Sequence, residues 1–277
     1  MKKLLIVTDL DASLIGDDYL FTDAIPALSR LADLGYPVVF NSSKTLTELK
    51  VLASQLKLDT PLIAENGGII AIPHSSPLNS HTLENEHRSW ENKGSEQTLV
   101  IGLAREFILQ HAHAARVEHG YQFSGFDDWS AEVVAAKTGL SLADAGMARQ
   151  RHVSEPIIWQ DTEQRWDEFH AAMKQHGIRA LRGGRFIHLM GQADKADGLN
   201  AIRALYSKSD PQTQWTTVAL GDSANDKAML EAADIAVVIP HADGATRFQV
   251  RARHVIHARH PASKGWNDAI YDILASF

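Results

Sequence analysis

The chain has 277 residues, 44% hydrophobic and 22% charged, with a formal net charge of -7 at pH 7. That length supports a sizeable core in one large domain or two modest ones. No lysine or arginine run is dense enough to follow a phosphate backbone, which sets nucleic acid aside as a partner. The absence of cysteine excludes a disulfide scaffold, thiolate metal sites and a cysteine nucleophile.

The start, MKKLLIVTDLD, has a basic pair and only four apolar residues, with no small-residue cleavage site behind them. We read a protein retained in the cytoplasm, with no membrane-spanning segment. Leu4 to Val7 predicts a strand, and Ile25, Leu28, Leu31 and Leu34 have helical spacing. PVVF at 37–40 predicts a second strand and TLTELKVLASQLKL a second helix, with Ser42 or Ser43 as its cap. TPLIAENGGIIAI predicts a third strand running into a turn at 66–68. Short strands joined through helices imply parallel pairing with right-handed crossovers.

From Pro73 to about Gln97 the chain is polar and aperiodic, which reads as a boundary or linker. A helix is predicted over TLVIGLAREFILQHAHAARV from Thr98, and another begins near Ala131. EPIIW, IRALRG and RFIHLMG read as strands, with a helix at TEQRWDEFHAAMKQHG. After Gly191 the first rhythm returns: helix GLNAIRALYSKS, strand TTVALGD, helix NDKAMLEAAD, strand IAVVI, one further short strand and a terminal helix. The expected fold is α/β, a Rossmann-like doubly wound, mostly parallel sheet core at residues 1–82 and 191–277. An inserted α+β cap is expected at 83–190.

Two apolar strands end in clustered acids: Asp9 and Asp11 after LLIVT, and Asp222 after TTVALG with Asn225 and Asp226 a turn further. An acid after a strand is often only a cap or turn residue. Two such clusters in one sheet class instead suit a hard divalent cation, Mg2+ above all, which would offset carboxylate repulsion and neutralise phosphate charge. Ser42 and Ser43 in FNSSKT could cradle a phosphate at a helix start, and Lys195 could bring a cation there. The histidines form no zinc spacing.

DLDASL at 9–14, SSK at 42–44, Lys195 in DKADGL and GDSAND at 221–226 resemble the four ordered motifs of the haloacid-dehalogenase superfamily of phosphotransferases with a large α/β cap. The resemblance implies Asp9 as nucleophile, Asp11 as acid/base, Ser42 on the phosphoryl oxygens, and Lys195 steadying nucleophile and phosphate. It also implies a Mg2+ site of Asp9, the Asp11 carbonyl and Asp222, supported by Asn225 and Asp226. Members of the superfamily usually carry Gly-Thr after the second acid, where this chain has Ala12-Ser13. A Cβ at residue 12 predicts negative φ or a small local shift there.

IAENGGII, FDD, AKTGLS, SEPIIW, LRGGRFIHLMG and SKGWNDAI further resemble the mannosyl-3-phosphoglycerate phosphatases. This implies a small phosphorylated glycoside as partner and compatible-solute synthesis as the setting. The substrate-contacting candidates are Ser43, Lys44, Glu65, Asn66, Arg182, Arg185 and His188, the two arginines flanking a glycine pair that would let backbone approach an anion. Glu65 could reach sugar hydroxyls or orient the cap. A glucosyl-3-phosphoglycerate or sucrose-phosphate phosphatase, a phosphomutase, and an inactive sugar-phosphate binding protein are the alternatives.

Overall fold

The computed structural model describes residues 1–16, 20–80, 90–182 and 185–277. In chain order the first elements are β1 (Lys2–Thr8), α1 (Ile25–Asp33), β2 (Val38–Asn41), α2 (Leu46–Gln55), β3 (Leu62–Ala64), β4 (Ile69–Pro73), β5 (Trp90–Lys93) and β6 (Glu96–Val100). Then follow α3 (Arg105–His119), β7 (Phe123–Gly125), α4 (Ala131–Thr138), α5 (Leu142–Ala148), β8 (Ser154–Trp159), α6 (Glu163–Gln175), β9 (Arg179–Arg182) and β10 (Ile187–Met190). The chain closes with α7 (Lys195–Ser209), β11 (Gln214–Gly221), α8 (Lys227–Ala232), β12 (Ile235–Val238), β13 (Val255–His257) and α9 (Ala262–Ser276).

The larger sheet has nine strands in the order β13-β12-β11-β1-β2-β3-β4-β6-β5. Pairing is parallel from β13 to β3 and antiparallel beyond it. Strand β1 is central, and a parallel strand covered on both faces reads as an unbroken apolar run. Leu4 and Ile6 pack on one side with residues of α1, α2 and α9, including Leu31, Leu49 and Trp266. Leu5 and Val7 pack on the other with Leu199, Ile202 and Leu205 of α7 and Leu230 of α8. All four are fully buried, each burial contributing roughly 1.5–3 kcal/mol, so the acids after β1 stand on firmly anchored backbone.

The cap sheet is antiparallel, in the order β7-β8-β10-β9. Alternation sends Ile157 and Ile187 to a cluster with α3 and α6, and Ile158 and Phe186 to one with α4 and α5. Phe186 and His188 share the second face.

Three expectations differ from the structure. The helix expected from Thr98 starts only at Arg105, because Glu96–Val100 pairs with both β4 and β5 and buries Thr98 and Leu99 in the large sheet. The polar 73–97 stretch is not a plain linker: β5 is an edge strand, and a strand half open to solvent carries little apolar signal. The strand expected at 60–72 is two, β3 and β4, folded back through a single turn at Glu65–Gly67. The 82/83 junction lies outside the described residues, and since β5 and β6 extend the core sheet, we propose that the cap occupies residues 102–191.

Candidate active site

Strands β1 and β11 pair in register up to Thr8 and Leu220, so Asp9 and Asp222 leave the sheet side by side. Asp9 N–H donates to the Leu220 carbonyl at 2.9 Å. Thr8 Oγ1 donates to the Asp9 carbonyl at 2.7 Å and receives the Trp266 indole N–H at 3.0 Å. Gly221 lets Asp226 tuck beneath the strand end, where a Cβ would stand 2.5 Å from that of Asp226.

Lys195, the first residue of α7, arrives from across the fold. Asp194 caps that helix and forms a reciprocal capping box with Asp197. Asn41 Nδ2 donates to the Lys195 carbonyl at 2.8 Å. Gly67 makes the approach possible, because at φ +89° its missing Cβ would lie 1.9 Å from the Asp194 carbonyl oxygen. Lys195 Nζ then donates to Asp9 Oδ1 and Asp226 Oδ1, each at 2.6 Å and fully shielded from solvent.

Asp226 spends both oxygens on protein: Oδ1 on Lys195, and Oδ2 on the N–H groups of Asp222 and Ser223 at 3.1 and 3.0 Å. The second oxygen of Asp9 has no protein donor among the described residues. One oxygen from each of Asp9, Asp222 and Asp226 falls within 4.8 Å of the others. Three buried carboxylates against one ammonium leave two negative charges uncompensated. Burial, opposed by Lys195 and reinforced by Asp226, pushes the Asp9 carboxyl well above its ordinary range, and burial with Asp226 lifts Asp222 to about 6. Lys195 is held well above its ordinary range, its two carboxylate partners outweighing burial. Oxygen donors carrying this excess charge fit a divalent cation.

Asp11 stands at the mouth, half-exposed, with Lys44 Nζ 3.0 Å from its carboxylate. Between it and the cluster lies the substituted pair. Ala12 has φ +56°, not the negative value expected, and Ser13 Oγ donates to Asp222 Oδ1 at 3.2 Å. The left-handed loop turns the Ser13 hydroxyl onto the metal-site carboxylate, and Ala12 bears the strain. A left-handed L-residue costs about 1–2 kcal/mol, of which glycine's larger unfolded-state entropy takes back roughly 0.5–1. Ala12→Gly is therefore expected to raise stability by about 0.5–1 kcal/mol in urea unfolding; a loss would show that the Cβ is packed to advantage.

The helix after β2 is capped by neither Ser42 nor Ser43. Thr45 takes that place, in a reciprocal box with Glu48, which leaves both serines in the loop. The Ser42 hydroxyl, fully buried, accepts from Lys44 N–H at 3.3 Å and donates to nothing among the described residues. Glu65 and Asn66 both have positive φ, 51° and 57°. The Glu65 carboxylate contacts no open space: it accepts from the N–H groups of His152 and Val153 at 2.7 and 3.0 Å and from Ser154 Oγ at 2.6 Å. Burial would raise its pKa, but the His152 imidazole 3.6 Å away, the Arg151 guanidinium and these bonds hold it down at about 2. Asn66 Oδ1 receives Asn225 Nδ2 at 3.3 Å, and Asn225 Oδ1 accepts from the Ser223 hydroxyl, which also reaches Asp226 Oδ2, so Asn225 stands between that loop and the carboxylate cluster.

Between cap and core lies a cleft of about 350 Å³ lined by Asp11, Ser43, Lys44, Arg151, Arg185, His188 and the rings of Phe126 and Phe186. A larger cavity, about 710 Å³, opens beside Ala12 and His241, but no cap residue lines it. His188 Nδ1 is buried and unpartnered, and burial with the nearby Arg151 charge pushes its imidazole down to about 3. Arg185 donates to the Lys137 carbonyl at the cleft edge. Arg182 is elsewhere: its exposed guanidinium pairs with Glu163 at 2.9 Å and lies over the Trp166 ring. It neighbours Ile187 in register, whose face packs on α3 and α6, away from the cleft. The glycine pair between the arginines lies outside the described residues.

Two residues of the site escaped the sequence reading. Arg151, 8% exposed, donates to the Ser43 carbonyl at 2.8 Å and to Ser154 Oγ at 2.9 Å. His241 Nδ1 lies 3.7 Å from Asp222. Neither sits in a pattern with a physical signature, and both act across long sequence separations.

A parallel core that gathers carboxylates and a buried lysine at adjoining strand ends, under an inserted cap, defines a capped phosphoric monoester hydrolase. The chain belongs to the haloacid dehalogenase-like hydrolases, whose family profile matches residues 6–258. It is similar to a protein of Persephonella marina named glucosyl-3-phosphoglycerate/mannosyl-3-phosphoglycerate phosphatase, 32% identical over 98% of this chain and 97% of the relative. A protein of the same name from Methanococcoides burtonii is 33% identical, again over 98% and 97%. Among solved structures, a haloacid dehalogenase-like hydrolase from Bacteroides thetaiotaomicron shares the fold with a TM-score of 0.63 at 18% identity, covering 99% of this chain and 100% of that one.

Proposed function

We propose that the protein is a Mg2+-dependent phosphatase that converts mannosyl-3-phosphoglycerate, and its glucosyl counterpart, to the glycosylglycerate and inorganic phosphate in the cytoplasm. The observation that carries the chemistry is Asp9, one oxygen pinned by Lys195 and the other without a protein donor among the described residues. A carboxylate attacks an anionic phosphoester only when cations offset the repulsion. Asp9 and Asp222, with the Asp11 carbonyl, would hold Mg2+, supported by Asp226 beside them, and the ion when bound supplies charge neutralisation at the phosphoryl group.

The free Asp9 oxygen attacks phosphorus as the bond to the glycerate oxygen breaks, and Asp11 gives its proton to that departing oxygen. Asp11 then takes a proton from water as the water oxygen attacks phosphorus, the aspartyl phosphate opens, and Asp9 is restored with release of phosphate. Lys195 holds Asp9 in line, and the Ser42 hydroxyl, with no acceptor among the described residues, donates to a phosphoryl oxygen.

The cleft supports the substrate reading. Arg185 brings a guanidinium fork for the glycerate carboxylate. His188, kept neutral, offers Nδ1 as an unsatisfied partner for a hydroxyl. Lys44 stands beside Asp11, and Ser43 and Asn66 flank the phosphoryl end. Arg182 has no part in this arrangement. Phosphate release measured with Mg2+ across mannosyl-3-phosphoglycerate, glucosyl-3-phosphoglycerate, sucrose phosphate and simple hexose phosphates is expected to favour the first two at least tenfold in kcat/KM. Turnover of sucrose phosphate alone would overturn the reading.

A further inference from the structure

We propose that Glu65 is a positioning residue that latches the cap onto the core. Its buried carboxylate closes a hydrogen-bonded ring around the Ser42–Lys44 loop, so that a ligand reaching from phosphoryl site to cap meets a single rigid frame.

The ring can be followed bond by bond. On the core side, Glu65 N–H donates to the Lys44 carbonyl and Asn66 N–H to the Ser42 carbonyl, both at 2.9 Å. On the cap side, the Glu65 carboxylate receives the His152 and Val153 N–H groups and the Ser154 hydroxyl. Arg151 joins the two sides: its Nε donates to Ser154 Oγ and its Nη2 to the Ser43 carbonyl, with Nε 3.7 Å from Glu65 Oε2. The three consecutive carbonyls of residues 42–44 are thus held by groups that Glu65 itself places or supports. A flanking tie runs from Thr45 Oγ1 to the Met147 carbonyl at 3.1 Å.

Two observations argue against a passive buried acid. Glu65 and Asn66 are consecutive non-glycine residues at positive φ, a conformation that persists only where surrounding contacts over-determine it. In this conformation the main chain of Glu65 meets the loop and its side chain meets the cap. Moreover, the three hydrogen bonds that the carboxylate accepts all come from residues 152–154, the segment that enters β8 and leads to the cleft wall. The side chain is fully buried, out of reach of a sugar hydroxyl, so the residue acts through Arg151 and the cap and not on the ligand.

The activity half of the test rests on the function proposed above, and the other half does not. In Glu65→Gln the side-chain amide would turn an N–H toward backbone donors and remove the charge beside Arg151. Without substrate, hydrogen exchange read by mass spectrometry is expected to accelerate at least tenfold at the His152 and Val153 amides, while β1 and β11 keep wild-type protection. Unchanged exchange at 152 and 153 would overturn the latch. With Mg2+, kcat/KM for mannosyl-3-phosphoglycerate is expected to fall at least tenfold, mostly through KM. For p-nitrophenyl phosphate, which does not reach the cap, it is expected to stay within threefold. Equal losses on both substrates would assign Glu65 to general core stability and overturn the proposal. If Glu65→Gln fails to fold, Ser154→Ala, which removes one bond of the ring, is read the same way, with about threefold faster exchange expected and wild-type exchange overturning the latch. A wild-type enzyme idle on both glycosyl phosphoglycerates would sink the proposed substrate, while the exchange result would still decide the latch.

Discussion

Asp9→Asn is expected to abolish phosphate release, by roughly 10⁴-fold or more in kcat, while the variant folds and its metal-free unfolding midpoint stays level or rises. The amide keeps the carboxylate's shape and an oxygen for the Lys195 ammonium 2.6 Å away, but it cannot supply the oxyanion that attacks phosphorus. Stability moves the other way because Asp9 is buried beside two further carboxylates, and that crowding, with burial, already lifts its pKa. Removing one charge relieves repulsion that only a bound cation otherwise offsets. Loss of activity together with loss of fold would make Asp9 a structural residue; near-wild-type turnover in a folded variant would remove it from the mechanism. Phosphate-release kinetics and thermal unfolding in chelator decide between these outcomes.

Lys195→Met is expected to carry the largest stability cost of any single substitution in the site, about 3–5 kcal/mol. The ammonium is the one cation in contact with both Asp9 and Asp226 among the described residues, and all three groups are buried. Methionine fills the space but leaves two carboxylates facing each other without compensation. Against a total stability of about 5–15 kcal/mol this is a large share, and for a chain of this size it corresponds to a fall in melting temperature on the order of 10 °C. The sign of the pH dependence follows. Carboxyls whose folded-state pKa stands above the unfolded value bind protons preferentially when folded. The deficit of Lys195→Met relative to wild type is therefore full near neutral pH and narrows as pH is lowered toward 4. A second change, Asp226→Asn, is expected to restore part of the lost stability without restoring turnover. A melting temperature that is unchanged in Lys195→Met, or a deficit that widens in acid, would show that the lysine is not the counter-charge of the cluster.

The parts of the site that were legible beforehand share one property: each is announced by a short local pattern. LLIVTD reads as a central strand ending in an acid because burial on both faces demands consecutive apolar residues, and TTVALGD repeats the signal at the neighbouring strand. Lys195 was visible in the short motif DKADGL just ahead of a helical pattern, and the structure adds the Asp194–Asp197 capping box that starts the helix at Lys195. What was misread lacks such a pattern. Strand β6 carries TLV, which suits a helix or a strand equally, and its pairing with β4 and β5 decides between them. Arg182 and Arg185 look equivalent on either side of a glycine pair, yet only Arg185 borders the cleft, because the face on which a side chain emerges depends on sheet register. Glu65 stayed open between reaching sugar hydroxyls and orienting the cap, because the groups that donate to both its oxygens lie 87 to 89 positions away in the sequence.

The sequence by itself determined the order of the strands' apolar runs, the two acidic strand ends, the helix that follows Lys195 and the presence of an inserted unit. All of these arise from local periodicity and capping, whose range is a few residues. Only the tertiary structure decided that Ala12 adopts a left-handed turn so that Ser13 meets Asp222, and that Lys195 is shared between Asp9 and Asp226. It alone joined Glu65 and Arg151 across cap and core. Those outcomes depend on charges and hydrogen-bonding groups brought together from distant parts of the chain, where burial raises the cost of leaving any of them unpaired.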